Sequence, residues 1–297
     1  MLRHELSCVE LVQQYLSRIE QHNKVLRAII HVNPNALEIA RKLDASLASS
    51  GTLSGALHCV PVAVKDAIDT AEMPTGGGST APSRAAQSAC RRHRRGQAAR
   101  SRCDHSRQVQ SLMNSVAAVP GSAPSAGRRA TRTTPHASPA APAAAPASPS
   151  RPISLLVALS EETGVSIRNP AANNNIVGIA PTQGLVSRAG VIPISFTQDR
   201  VGAYARTAAD AALLLQVMAG YDADDPATAA SRGRVPREGY AASPTSKGLA
   251  EARLGVVRQF MTAWTAADKE VGGNRRARPR GYETSRRANR RGERRSR

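Results

Sequence analysis

The sequence predicts an α/β fold in which a β-sheet is flanked by helices and interrupted in its middle. Three observations predict it. Amphipathic helical patterns alternate with short apolar runs between residues 7 and 220. One run, residues 60–66, is almost wholly apolar before a final Lys-Asp, as suits a strand covered on both faces. Residues 82–152 and 268–297 show no periodicity.

Ser7 and Glu10 have the spacing of a capping box, in which a serine caps a helix and a glutamate three residues on reaches back. Val9, Leu11, Val12, Tyr15, Leu16 and Ile19 then recur at helical spacing and carry the helix to His22 and Asn23. Residues 26–32 form an apolar run of strand length. A second amphipathic helix covers 35–49, with Leu37, Ile39, Ala40, Leu43 and Leu47 on its apolar side. The strand at 60–66 ends in Lys65 and Asp66. Residues 73–80 are a glycine-rich loop without the Gly-Lys-Ser/Thr of a phosphate loop, so no nucleotide site is read there.

From 82 to 152 Arg, Ala, Pro and Ser dominate. Such a segment buries too little apolar surface to offset its ordering entropy, and is expected to be disordered. Order returns with the buried-strand pattern of 153–159. Apolar runs at 176–179, 185–186 and 191–194 are separated by Pro and Gly turns. Thr207 caps a helix through Leu213, Leu214, Leu215, Val217 and Met218 to Gly220. Residues 254–257 suit one more strand. The expected organisation is an ordered part at 1–81, the patternless segment 82–152, a second ordered part at 153–267 and a disordered basic tail at 268–297.

The formal net charge of +19 would ordinarily point to a polyanionic partner. The charge is concentrated, however. Arg clusters at 84–132 and 275–297, and Asp104 is the only acidic residue between 73 and 160. No aromatic residue is interleaved in 84–132 for base stacking, which argues against nucleic-acid binding, and a non-enzymatic basic protein that binds nucleic acid through its Arg-rich segments stands as the alternative to an enzyme. Cys8, Cys59, Cys90 and Cys103 form no Cys-x-x-Cys pair and no disulfide framework. Cys90, His93, Cys103 and His105 have a spacing that matches no common zinc site, so no metal and no cofactor is expected. The N-terminus does not resemble a signal peptide, and no apolar run approaches membrane-spanning length. A soluble, reducing, cytoplasmic setting is expected.

The candidate chemistry lies in 161–184. Ser166 sits in a short polar turn where a hydroxyl can meet converging backbone N–H groups, the geometry an acyl-transfer nucleophile needs. An ordinary loop serine fits the same pattern. Lys65 at its strand end can point into a buried cleft, or it can close the strand and extend to water.

Four stretches, in order, resemble the amidase signature hydrolases. They are Leu57-His58-Cys59-Val60-Pro61-Val62-Ala63-Val64-Lys65-Asp66-Ala67-Ile68-Asp69-Thr70, then Glu162-Thr163-Gly164-Val165-Ser166-Ile167-Arg168-Asn169-Pro170-Ala171, Pro181-Thr182-Gln183-Gly184-Leu185-Val186-Ser187, and Arg206-Thr207-Ala208-Ala209-Asp210-Ala211-Ala212. The resemblance covers roughly residues 4–80 and 153–267. It implies a mixed β-sheet core flanked by helices, and hydrolysis of carboxamide bonds through a Ser–Ser–Lys triad and an acyl-enzyme. By position Ser166 is the implied nucleophile and Lys65 the implied general base, its pKa lowered by burial. The backbone N–H groups of Thr163, Gly164 and Val165 are the implied oxyanion hole. The implied substrate is a small-molecule amide, with a homodimer as one assembly. The amidase-like component of a glutamine-dependent tRNA amidotransferase is the alternative within the family.

The chain departs from the family pattern at several points. The bridging serine belongs to a Gly-Gly-Ser-Ser-Gly-Gly loop, whose place is taken here by the Ala-Pro tract 138–150. Val165 and Cys59 stand where glycine is usual, and family members continue well beyond Arg297. A slipped reading frame accounts for the altered regions. Shifting the codon choices for 104–110 by one base allows Ile-Ile-Leu-Gly-Lys-Cys-Asn. Shifting those for 138–146 by two allows Pro-Gly-Gly-Ser-Ser-Gly-Gly-Thr, the missing loop. Shifting those for 274–284 by one allows an amphipathic helix. The expectation is a frameshifted, truncated hydrolase with its relay broken and its activity impaired.

Overall fold

The computed structural model describes residues 6–26, 28–70, 73–75, 117–119, 157–242 and 269. The elements belong to one compact unit, Met1–Ser243; of the second, Pro244–Arg297, only Lys269 is described. Expectations for 153–156, for 254–257, for the Cys90, His93, Cys103 and His105 set and for the rest of the tail lie outside the described residues.

Helix α1 spans Cys8–Leu26 and starts with the expected capping box. The Ser7 N–H donates to Glu10 Oε2 at 2.8 Å, and the Glu10 N–H donates to Ser7 Oγ at 3.1 Å. The helix runs past Asn23, whose side chain turns to the chain reversal instead. Its Oδ1 accepts from the amides of Ala28 at 3.0 Å and Ile29 at 2.9 Å. Only the end of the apolar run at 26–32 pairs, as strand β1, His31–Val32. Helix α2, Ala36–Ser50, ends at Gly51 in the left-handed conformation. Asp44 on α2 accepts from the amides of Cys8 at 2.8 Å and Val9 at 3.1 Å, so one helix caps the other.

The remaining elements are β2 (Val62–Lys65), β3 (Ala117–Val119), β4 (Val157–Glu162), α3 (Arg168–Asn174), β5 (Val177–Ile179), β6 (Arg200–Ala205), α4 (Ala208–Met218) and a 3₁₀ turn, Pro226–Ser231. Among the described residues six strands form one mixed sheet, ordered β1-β3-β2-β4-β6-β5. Strands β3, β2 and β4 run parallel; β1, β6 and β5 pair antiparallel to their neighbours. The α/β class with a mixed sheet is therefore as expected.

Strand alternation sorts the core into two layers. On one face Val62, Val64, Val157, Leu159, Val201, Ala203 and Ala205 pack against Leu214, Leu215 and Met218 of α4. On the other, Ala63, Ala158 and Tyr204 pack against Ile19 of α1 and Ile167 and Ala171 beside and within α3. Gly202 of β6 permits that second layer to close, because a Cβ there would collide with the Ile179 carbonyl and the Ile167 side chain.

Three findings differ from the sequence expectations. Ala117–Val119, inside the segment expected to be disordered, forms a strand between β1 and β2. Sheet pairing is made by backbone groups, so three residues can join a sheet without a periodic pattern around them. Strand β6 and helix α3 were not read from the sequence. The first carries Arg, Gly and Ala; the second carries Pro and Asn in a seven-residue helix, and both compositions carry weak signals. Lastly, Cys8 and Cys59, 51 residues apart, are joined by a disulfide, where no pairing was expected. The packing of α1 against the turn before β2 creates that contact, and spacing rules do not register it. No described helix is long and apolar enough to cross a membrane.

Candidate active site

Parallel neighbours bring their carboxyl ends to the same edge of a sheet, where ligands of open α/β sheets bind. Strands β2 and β4 are such neighbours, with Val64 opposite Leu159. Lys65 ends β2, and the Ser166 turn leaves the end of β4. Alternation assigns Lys65 to the Ala63 face of the sheet, the face that packs Ile167, next to Ser166.

The Ser166 turn is fixed by two groups that the sequence reading did not single out. Glu162, fully buried, accepts the amides of Ile167 at 2.9 Å and Arg168 at 3.1 Å with one carboxylate oxygen. Those are orphan donors at the start of α3, so Glu162 caps the helix that Ser166 precedes. Arg168 Nε closes on the same carboxylate at 3.1 Å, and Arg200 Nε lies 3.9 Å away. Tyr204, buried on β6, donates its hydroxyl to the Ser166 carbonyl at 2.7 Å. Burial holds the Tyr204 phenol well above its ordinary range, so it stays a donor. A buried Glu-Glu pair at a strand end was the one available signal, because buried carboxylates need partners.

Ser166 itself is half-buried, and Val165 beside it is 59% exposed. The amides held by Glu162 lie beyond the turn, so this contact leaves those of Thr163, Gly164 and Val165 to other partners. The β-branched Val165 raises no backbone conflict. Among the described residues the non-glycine positions with positive φ are Cys59 and Asn175.

Lys65 is 8% exposed. Its Nζ donates to the Glu161 carboxylate at 2.8 Å and to the Glu161 carbonyl at 3.1 Å. Glu161, fully buried, also accepts the Thr163 hydroxyl at 3.0 Å. The same hydroxyl lies 2.6 Å from Asp199. Burial pushes the Asp199 carboxyl up, but the Thr163 hydroxyl, the Ser195 and Ile194 amides and the Arg188 charge together hold it below its ordinary value. The structure thus brings Lys65 and the turn carrying Thr163, Gly164, Val165 and Ser166 to one sheet edge. It gives Lys65 a carboxylate partner that the sequence reading did not assign.

Comparison with known proteins points the same way. The Amidase family model matches residues 10–89 and 153–276. A probable amidase of Arabidopsis thaliana is 35% identical over 265 residues, covering 85% of this chain and 50% of that protein. The A component of the glutamyl-tRNA(Gln) amidotransferase of Gloeothece citriformis is 31% identical, covering 76% of this chain and 46% of that protein. The native peptide amidase of Stenotrophomonas maltophilia superposes with a TM-score of 0.60 at 32% identity, covering 79% of this chain and 49% of that one. The chain spans about half the length of the curated relatives it matches. Four motifs in order, a mixed sheet with Lys65 and Ser166 at one edge, and a family match over most of the chain show that this chain belongs to the Amidase family of amidase signature hydrolases.

Proposed function

We propose that the chain carries the nucleophile half of a carbon–nitrogen hydrolase site for small carboxamides, and that the site is impaired as it stands. One observation carries the reading: Lys65 and the Ser166 turn leave parallel neighbouring strands at the same edge of the sheet. Ser166 Oγ would attack the amide carbonyl carbon, giving up its proton, while Thr163, Gly164 and Val165 N–H groups hold the oxyanion. Collapse breaks the C–N bond and the amine leaves with a proton. Water then cleaves the acyl ester and restores Ser166. Lys65 is the general base in this scheme, reached through a bridging serine. No metal or cofactor enters a step.

Two features support impairment. Lys65 Nζ is engaged by the Glu161 carboxylate and carbonyl, which occupy the place of a bridging serine's hydroxyl beside it. The Gly-Gly-Ser-Ser-Gly-Gly loop that would carry the bridging serine is absent from the sequence. The interval between the two matched stretches, 90–152, falls within the Arg/Ala/Pro-rich segment, in keeping with a slipped reading frame. The nucleotide sequence of the locus tests that point.

The purified chain, given a panel of primary carboxamides, is expected to release no ammonia above a Ser166→Ala control. Hydrolysis that disappears in Ser166→Ala would overturn the impairment. Recoding 138–146 to Pro-Gly-Gly-Ser-Ser-Gly-Gly-Thr is expected to raise Ser166-dependent turnover, and failure at every substrate would count against the triad. The likeness to tRNA amidotransferase components favours glutamine as a second substrate to include, with the transfer reaction then needing a partner protein. A cytoplasmic setting and homodimeric assembly complete the reading, with no role for membrane or nucleic acid.

A further inference from the structure

Away from the Ser166 turn, Cys8, His58 and Cys59 come together, all buried, with their ligating atoms within 4.8 Å of one another. Cys8 lies in the first turn of α1. Cys59 lies in a tight turn closed by the Val60 N–H donating to the Leu57 carbonyl at 3.0 Å. Their Cα atoms are 5.3 Å apart, a span that a disulfide bridges without backbone movement. Cys59 has φ +63°, at the third position of a turn that usually places glycine there.

His58 decides which chemistry the cluster suits. Its Nδ1 accepts the Ser54 N–H at 3.2 Å and lies 2.8 Å from the Ser54 hydroxyl. A backbone N–H can only donate, so Nδ1 is the unprotonated nitrogen of the neutral ring. The proton is then on Nε2, 3.6 Å from Cys8 Sγ. A metal ion bound through Nε2 would have to displace that proton. Sulfur chemistry uses it as it stands, as a donor to Cys8.

We propose that Cys8 and Cys59 are a thiol–disulfide exchange site that clamps α1 to the turn leading into the Lys65 strand, and that low-molecular-weight thiols and disulfides set its state. Cys8 thiolate attacks one sulfur of oxidised glutathione, whose S–S bond breaks and releases one glutathione thiolate. Cys59 thiolate then attacks the Cys8 sulfur of the mixed disulfide and expels the second. Two protein thiols are oxidised to one disulfide, and one glutathione disulfide is reduced to two thiols. Cys8 enters first because the first turn of a helix opens more readily than a packed interior turn. The His58 Nε2–H and the amino end of α1 favour its thiolate. Asp44, bound to the amides of Cys8 and Val9, acts against it. The clamp also holds Cys59 in a backbone conformation that a non-glycine residue resists.

The test uses the full chain with Cys90→Ser and Cys103→Ser, equilibrated in glutathione buffers, acid-quenched, unfolded and alkylated with N-ethylmaleimide. Mass spectrometry is expected to find chains with no label or two, and a peptide linking Cys8 to Cys59 in the unlabelled form. The disulfide fraction at a fixed glutathione ratio is expected to fall in denaturing urea. Oxidation is expected to raise Tm by about 10 °C. In the same background Cys8→Ala and Cys59→Gly should both melt independently of redox state, with Cys59→Gly the higher, since it gives the turn its favoured residue. Four results would overturn the proposal: a stable singly labelled chain, no linked peptide, the same disulfide fraction with and without urea, or protection of both thiols by one equivalent of Zn²⁺, which would make the cluster a metal site.

Discussion

Glu161 and Glu162 are adjacent, both carboxylates and both fully buried, yet the two sides of β4 use them differently. Glu161 belongs to a chain of charges. Lys65 donates to it, Thr163 donates to it, and the Thr163 hydroxyl is shared with Asp199. A hydroxyl has one proton, so the two carboxylates compete for it. Glu162 belongs to a cap. Its main partners are the Ile167 and Arg168 amides, which cannot ionise or move independently of the backbone. Glu161 therefore stands opposite a buried cation, and Glu162 opposite fixed dipoles with the more exposed Arg168 beside them. The comparison teaches that the Ser166 turn takes its shape from the Glu162 side, while the state of Lys65 is set on the Glu161 side.

The sharpest break of this contrast is Glu161→Leu. It strands the Lys65 ammonium in a buried site, and an unpaired buried charge costs about 3–5 kcal/mol. Urea unfolding of the variant is expected to show that loss. Lys65→Met with Glu161→Leu removes both charges and should recover most of it. If the double variant is as unstable as the sum of the singles, the two residues are not a pair.

Glu162→Ala should cost less, about 2–3 kcal/mol, because it orphans two amides but leaves Arg168 free to reach water. Glu162→Gln keeps an acceptor and should lose about 1 kcal/mol. The ordering of the alanine and glutamine variants separates cap from charge. A glutamine variant as damaged as the alanine would mean that the Arg168 and Arg200 charges, not the amides, are what Glu162 serves.

Much of this site could be read from the chain, for identifiable reasons. Ser7 and Glu10, the α2 stripe and the Thr207 cap are local patterns, and the Thr207 side chain does accept the Asp210 amide at 3.1 Å. Lys65 and Ser166 were singled out because each sits in a distinctive stretch of sequence, and they lie at the ends of neighbouring strands. What lay hidden depends on contacts between distant residues. Tyr204 meets Ser166 only because β6 pairs with β4, and β6 has a weak strand signal. Asp44 caps α1 from another helix, and Cys8 finds Cys59 across the packed turn. The partner of Lys65 was missed for a different reason. Its expected serine belongs to a loop missing from the sequence, and Lys65 is hydrogen-bonded to a carboxylate of the neighbouring strand.

The smallest effect tests the far end of the charge chain. Asp199 is held below its ordinary 3.8 because the Thr163 hydroxyl, two amides and Arg188 together outweigh burial. A group whose folded pKa is depressed contributes stability that is present above its unfolded pKa. That contribution is lost as pH falls through the lower folded value. Asp199→Asn cannot ionise and lacks this contribution at every pH. The variant should therefore be less stable than wild type near neutrality, and the gap should narrow as pH is lowered through 3.8 and below. Asp225, also held low, chiefly by its Arg188 hydrogen bond, is unchanged in the variant, so both proteins should still lose stability in acid. Chemical denaturation of the two at matched pH reads the gap directly. A gap that stays constant across that range would show that Asp199 acts through its shape and hydrogen bonds alone. Thr163 would then be answering to Glu161, and the Lys65 side of β4 would end at that hydroxyl.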